Sequence, residues 1–425
     1  MIEAFQSQNT VAFIGDSNTS AEATTIAYPQ FVQYCYRTRF PERTIQMVNC
    51  GVAGDTYAGA VRRMDWDILS NRATHAVIQL GTNDVEYEQY PRGNAINHWK
   101  LDCAARACGK LVETLQSHQV SPILLLPGGF YEGRDHPRAE TFLGANAALA
   151  ELGHRIKEVF EGSQIPVLDL GPVFRQMGET MPPITMTPDR IHFRAVMHLL
   201  IAAVLTMEQG FGSVVASARI GSHISTHRAT VQDVNTSSSA ASFTYRPESF
   251  PCYDSEPYRE LDAYFPITER FNQEILAVEG LDEGRYLLAL NGRDVGIYTA
   301  AEVAAGINIA CSEANPNRQI SAELYRLLCA EWYTPMHDLR RLAYQIVRCK
   351  ERGIDLQRIP GYRVEESQGV EPAFLEFCGP HYETILQLFR HREANEARLT
   401  ELLAEADGIG GPTASRVTVR QVGIG

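Results

Sequence analysis

The chain has 425 residues, 44% of them apolar and 21% charged. This is globular composition, which excludes a disordered or fibrous protein, and at roughly 150 residues per domain the length predicts two or three domains. Lys plus Arg number 38 and Asp plus Glu 51, a net charge of −13, so neither nucleic acid nor an anionic membrane is an expected partner.

The nine cysteines are scattered, odd in number and contain no CxxC pair. That argues against a disulfide framework and a structural zinc site, and predicts buried, reduced thiols. The first ten residues carry Glu3 and no apolar run, so the expected location is cytoplasmic, with export after removal of a leader left open. The longest apolar stretch, 195–207, is interrupted by His198 and is too short to span a bilayer.

Five short runs rich in Val, Ile and Leu, at 10–15, 44–50, 75–81, 122–127 and 166–170, read as strands buried on both faces. Helical spacing lies between them at 95–118 and 139–161. Such alternation predicts a parallel sheet with helices on both sides and right-handed crossovers. Its functional crevice is expected at the carboxyl ends of the strands. Past residue 220 the pattern changes. Residues 234–242 (VNTSSSAAS) read as a linker. From Phe243 to Ile309 the chain looks β-rich, with Asn291-Gly292 as a hairpin turn and Thr299 to Glu302 as a capping box. Residues 321–350 predict a long amphipathic helix broken near Pro335, 372–406 a charged helix, and 415–422 a last strand. The expected domains are 1–220, a β-rich unit at 221–315 and a helical region at 316–425. Ile385, Leu386 and Phe389 are expected to dock on the first domain or on a second subunit, which leaves a homo-oligomer through the C-terminal half open.

Four strand ends carry chemistry. The first run ends in Gly15-Asp16-Ser17-Asn18, the second leads into Asn49-Cys-Gly-Val-Ala-Gly54-Asp55-Thr56, and the third into Gly81-Thr82-Asn83-Asp84. Pro188-Asp189-Arg190-Ile191-His192 follows the fifth. Taken singly, each has a plain structural reading: Ser17 and Asn83 as helix caps, Gly54 as a tight turn, His192 as a surface histidine. Together they place a hydroxyl, a backbone amide, a side-chain amide and an Asp/His pair on one edge of one sheet. An Asp three residues before a His can hold the imidazole in one tautomer. His198, six residues further on, reads as a packing residue. The loops 86–90 and 129–136 should border the crevice and either bind a sugar or cationic group or form a solvated lid.

With those blocks in view, the sequence resembles the SGNH hydrolases, also called GDSL esterases or lipases. GDSN carries Ser17, NCGVAGDT carries Gly54, GTND carries Asn83 and DRIH carries Asp189 and His192. Asn18 stands where the family name has Leu. The resemblance covers about residues 8–210 and implies a flavodoxin-like three-layer α/β/α domain with a five-stranded parallel sheet. A β-rich region and a helical C-terminal region would follow, as in a bacterial subgroup with a β-rich extension. By similarity, Ser17 is the nucleophile, His192 the general base and acid, and Asp189 its orienting carboxylate. The N–H groups of Ser17 and Gly54 and the Asn83 amide form the oxyanion hole. The resemblance implies a serine esterase acting on a small-molecule or carbohydrate ester, with no metal or organic cofactor required. An O-acyltransferase using the same acyl-enzyme is the first alternative, and a non-catalytic scaffold the second.

Overall fold

The structure is a computed structural model that describes residues 2–22, 24–92, 94–133, 135–138, 142–359 and 372–423. Five strands, β1 (Thr10–Gly15), β2 (Gln46–Gly51), β3 (His75–Gln79), β4 (Ser121–Leu126) and β5 (Val167–Asp169), form one parallel sheet. Its order is β2-β1-β3-β4-β5, the flavodoxin-like arrangement that the alternating pattern and the resemblance predict. Side chains alternate across β1, as the strand pleat requires. Val11 and Phe13 face one apolar layer with Phe31, Val32 and Leu200, from the helices Tyr28–Arg39 and Ala195–Glu208. Ala12 and Ile14 face the other, with Leu111, Leu115 and Leu152 from His98–Ser117 and Ala145–Val159. Each large side chain buried this way contributes roughly 1.5–3 kcal/mol. The second of these helices starts at Ala145, later than the expected 139, and residues 139–141 lie outside the described residues.

Two more sheets follow. β6 (Val214–Ile220), β7 (Ile224–His227), β10 (Gln273–Val278) and β13 (Ile307–Asn308) form a sheet of order β13-β10-β6-β7. β8 (Ala229–Thr236), β9 (Ala240–Pro247), β11 (Arg285–Leu290), β12 (Arg293–Thr299) and β14 (Ser415–Val422) form an antiparallel sheet of order β12-β11-β14-β9-β8. The two share one core, in which Ala216, Ala218 and Leu276 meet Phe243, Tyr286, Leu288 and Val419.

Three sequence expectations need revision here. Residues 234–242 are not a linker. They are the ends of β8 and β9 and the turn between them, where Ala240 pairs back to Ser237. Residue 220 is the last residue of a strand of the second sheet, because β6 pairs with β10. The final segment does not stay with the helical region, since β14 lies between β11 and β9. The Asn291-Gly292 turn matches its expected form, with positive φ at both residues (51° and 79°). The Thr299/Glu302 capping box is also present.

The helical region comprises Pro316–Tyr325, a wide turn at Arg326–Ala330, Tyr333–Glu351, Pro372–Cys378, Tyr382–Arg390 and Arg392–Gly408. The break precedes Pro335, which sits in the first turn of Tyr333–Glu351, where a missing N–H leaves no helical bond unmade. Ile385, Leu386 and Phe389 are buried in a core with Leu342, Ile346, Cys349 and Phe374, against which Trp66 of the first domain also packs. They do not form a free docking face. No described helix is long and apolar enough to cross a membrane.

Candidate active site

β1 ends at Gly15, and the chain turns at once into the short helix Ser17–Ser20. Asp16, not Ser17, caps that helix: its carboxylate accepts from Asn18 N–H at 2.9 Å. The Ser17 hydroxyl is therefore not engaged as a cap. A Cβ on Gly15 would lie 1.9 Å from Thr19 Oγ1 and 2.8 Å from the Gln79 carbonyl, so only glycine lets the turn fold back this tightly.

His192 Nε2 lies 2.9 Å from Ser17 Oγ, and His192 Nδ1 lies 2.6 Å from Asp189 Oδ2. The other Asp189 oxygen accepts from the backbone N–H groups of His192 (2.8 Å) and Ile191 (3.0 Å). The carboxylate is thus fixed by its own turn, between the helices Pro183–Met186 and Ala195–Glu208. Residues 175 apart in sequence meet here in one hydrogen-bonded row.

Burial alone would lower the His192 pKa. The hydrogen bond and charge of Asp189, with the fields of Asp16 and Glu22, outweigh it and raise the value above 6.5. Burial would raise Asp189, but its bonds to the His192 ring and to the backbone N–H groups hold it well below the usual carboxylate range. The imidazole is thus given a bonding partner that stays ionised. Burial pushes Asp16 up to about 6, against its bonds to Asn18 and Thr82.

Gly54 has φ +73°, with open space where a Cβ would be. Asn83 Nδ2 donates to the Asp55 carbonyl at 2.9 Å, so the second and third strand ends are joined directly. All the residues expected at the site therefore lie at the carboxyl edge of the first sheet or in the turn packed against it.

Two supporting residues escaped the sequence reading. Asn18 accepts from Phe193 N–H at 3.0 Å and donates to the Ile191 carbonyl at 3.4 Å, so it clamps the two residues flanking His192. Its place beside Ser17 in the first block was the available signal. Arg190, buried and at φ 78°, donates to the carbonyls of Tyr131, Gly133 and Arg138. Those bonds offset the strain of the left-handed backbone and tie the loop after β4 to the histidine turn. No local pattern announces such a contact.

The other two candidate histidines are taken up by local contacts. His198 is buried, accepts from Tyr28 N–H at 3.3 Å, and is pushed down to about 3 by burial, so it is a neutral core residue. His136 bridges the Thr187 carbonyl and Arg138 N–H. In the border loops Tyr87 packs on Phe130 and Phe142, and Glu132 accepts from the N–H groups of Gly144 and Asn146 at the start of a helix. A cavity of about 510 Å³ lies near the histidine turn, lined by Gly128, Tyr131, Phe174, Met186, Arg190 and Phe193. Ser17 and His192 are not among its walls, so it is not the catalytic crevice itself.

A parallel sheet in this order, with hydroxyl, imidazole and carboxylate bonded in a row at its carboxyl edge, is equipped for nucleophilic acyl transfer, and the comparisons support a carboxylic ester hydrolase. Residues 13–200, a little under half of the chain, match the model of the GDSL-like lipase/acylhydrolase family. An acetylxylan esterase of Geobacillus stearothermophilus is 25% identical over 213 residues, which cover 47% of this chain and 93% of that protein. The solved structure of a gut microbial diltiazem-metabolizing enzyme aligns over 99% of both chains, with a TM-score of 0.85 at 20% identity. The last likeness extends the shared fold through the β-rich and helical parts.

Proposed function

We propose that the protein hydrolyses a short acyl ester, such as an acetyl group on a sugar or a small molecule, through an acyl-Ser17 intermediate. The observation that carries this reading is the unbroken row Asp189–His192–Ser17, with 2.6 Å and 2.9 Å links. A serine hydroxyl is a weak nucleophile until a neighbouring base takes its proton. His192 Nε2 accepts that proton as Ser17 Oγ bonds to the ester carbon. The resulting oxyanion is held by the N–H groups of Ser17 and Gly54 and by the second amide hydrogen of Asn83. The bond to the alcohol then breaks, and the alcohol leaves with the proton from His192. Water repeats the sequence on the acyl-enzyme: His192 takes its proton, the carboxylic acid departs, and Ser17 is restored. Asp189 holds Nδ1–H throughout and stabilises the transient imidazolium. The likeness to an acetylxylan esterase supports the small acyl group.

The test is hydrolysis of p-nitrophenyl acetate by the native protein and by Ser17→Ala, followed by a panel of acetylated sugars and small acetate esters. The native protein should turn over the aryl ester and Ser17→Ala should not. Equal rates in the two would overturn the proposal.

A further inference from the structure

We propose that Arg340, on the helix Tyr333–Glu351, is a positioning residue for the oxyanion hole, so that the helical region is part of the catalytic apparatus. This rests on the reading of Gly54 and Asn83 as oxyanion donors. The family-matched segment ends at residue 200, and nothing within it accounts for Arg340.

Arg340 Nε donates to the Gly51 carbonyl at 2.8 Å, at the end of β2. Its Nη2 reaches both oxygens of Asp67, at 3.0 and 2.8 Å. Asp67 also pairs with Arg63. Arg63 in turn reaches Asp55 Oδ2 through Nε at 2.8 Å and Nη2 at 2.7 Å. All four side chains are more than nine-tenths buried. Two cations and two anions thus form a chain from the helical region to the residue after Gly54. Burial would raise Asp67, but Arg340 and Arg63 outweigh it and keep the carboxylate ionised.

This chain acts on two donors at once. Gly54 lies inside the 51–55 segment whose two ends are held by Arg340 and Arg63. The Asp55 carbonyl orients the Asn83 amide. At its start the segment has other ties: Val52 N–H donates to the Gly15 carbonyl, and Gly51 N–H to Asn49 Oδ1. At its far end one Asp55 carboxylate oxygen accepts from Thr56 N–H at 2.9 Å and the other pairs with Arg63, which is set by an Asp67 that Arg340 shares. Buried charges left without a partner reorganise or admit water. Loss of Arg340 therefore loosens the donors without touching Ser17, His192 or Asp189. The same helix also approaches the nucleophile's turn directly, with His337 Nε2 3.9 Å from Glu22.

The test uses the full-length protein and p-nitrophenyl acetate, with Arg340→Ala and Arg340→Lys. For Arg340→Ala we expect kcat to fall about 30-fold with KM within about two-fold, the signature of a group felt only in the transition state. Millimolar guanidinium should restore at least about a third of the lost rate. A cavity of about 650 Å³ lined by Asn49, Asp67, Asn71 and Arg340 gives the ion a way in. Arg340→Lys keeps the buried charge but not the forked contact, so it should fold and still lose about ten-fold in kcat. If Arg340→Ala does not fold, Arg340→Lys decides by the same measure. A kcat within two-fold of native in the folded variants, a loss confined to KM, or a loss that guanidinium does not reverse would overturn the proposal. Activity surviving in Ser17→Ala would instead overturn the reading of the site itself.

Discussion

Asp189→Asn tests the electrostatic design of the site. Asp189 has two sets of partners: one oxygen accepts from the His192 ring at 2.6 Å, and the other accepts from two backbone N–H groups at 2.8 and 3.0 Å. An asparagine has one oxygen and one NH₂. Turning the NH₂ toward the backbone would set it against two donors, so the oxygen stays there and the NH₂ faces the ring. His192 Nδ1 must then accept, its proton moves to Nε2, and the ring can no longer take the proton of Ser17. The expected loss in kcat/KM is on the order of 10⁴, or about 5.4 kcal/mol of transition-state stabilisation. The pH profile should move as well. The base works when neutral, so activity rises as pH passes upward through the His192 pKa, which lies above 6.5 in the native protein. Without the Asp189 charge, burial pulls that midpoint down. The assay is kcat/KM for p-nitrophenyl acetate across pH 5–9, with folding checked by circular dichroism. A folded variant that keeps a tenth of native activity with an unshifted midpoint would refute the reasoning.

Two further predictions follow from single contacts. Asn83→Ala should lower kcat by about 10²- to 10³-fold with little change in KM, the typical loss for one oxyanion donor; steady-state kinetics that showed the whole loss in KM would contradict this role. Asp84 is buried, and burial raises its pKa from 3.8 to about 7 despite its bond to Tyr57 N–H. A raised carboxyl binds its proton more tightly when folded, so its stabilising effect is complete below pH 3.8 and is lost as pH rises toward 7. That swing is worth up to about 4 kcal/mol. Asp84→Asn should therefore match native stability near pH 4 and exceed it at pH 8 in urea unfolding, and an equal difference at both pH values would count against the argument.

The legible parts of the fold are those with local causes. β1, β3 and β4 are nearly continuous apolar runs because helices cover both faces, and Ser17 and Asn83 stand just past the carboxyl ends of β1 and β3. The hairpin at Asn291-Gly292 and the cap at Thr299 are set by residues in direct sequence contact. β8 was missed because its outer half faces solvent, leaving no apolar alternation, and small polar residues there look like a linker. The contacts from Arg190 to the Tyr131 loop and from Arg340 to Asp67 join positions 59 and 273 residues apart. Contacts at that separation leave no periodic trace, so only the folded chain reveals them. β14 returns to the middle of a sheet begun nearly two hundred residues earlier for the same reason: pairing there is decided by long-range register.

The central claim is that Ser17 carries the acyl group during turnover. Rapid acid quench of the protein with excess p-nitrophenyl acetate, followed by peptide mass mapping, measures this directly. The account predicts one acetyl group on the peptide containing Ser17, absent from Ser17→Ala. Turnover with no acylated peptide under any quench time, or acetyl on a different residue in step with turnover, would contradict it.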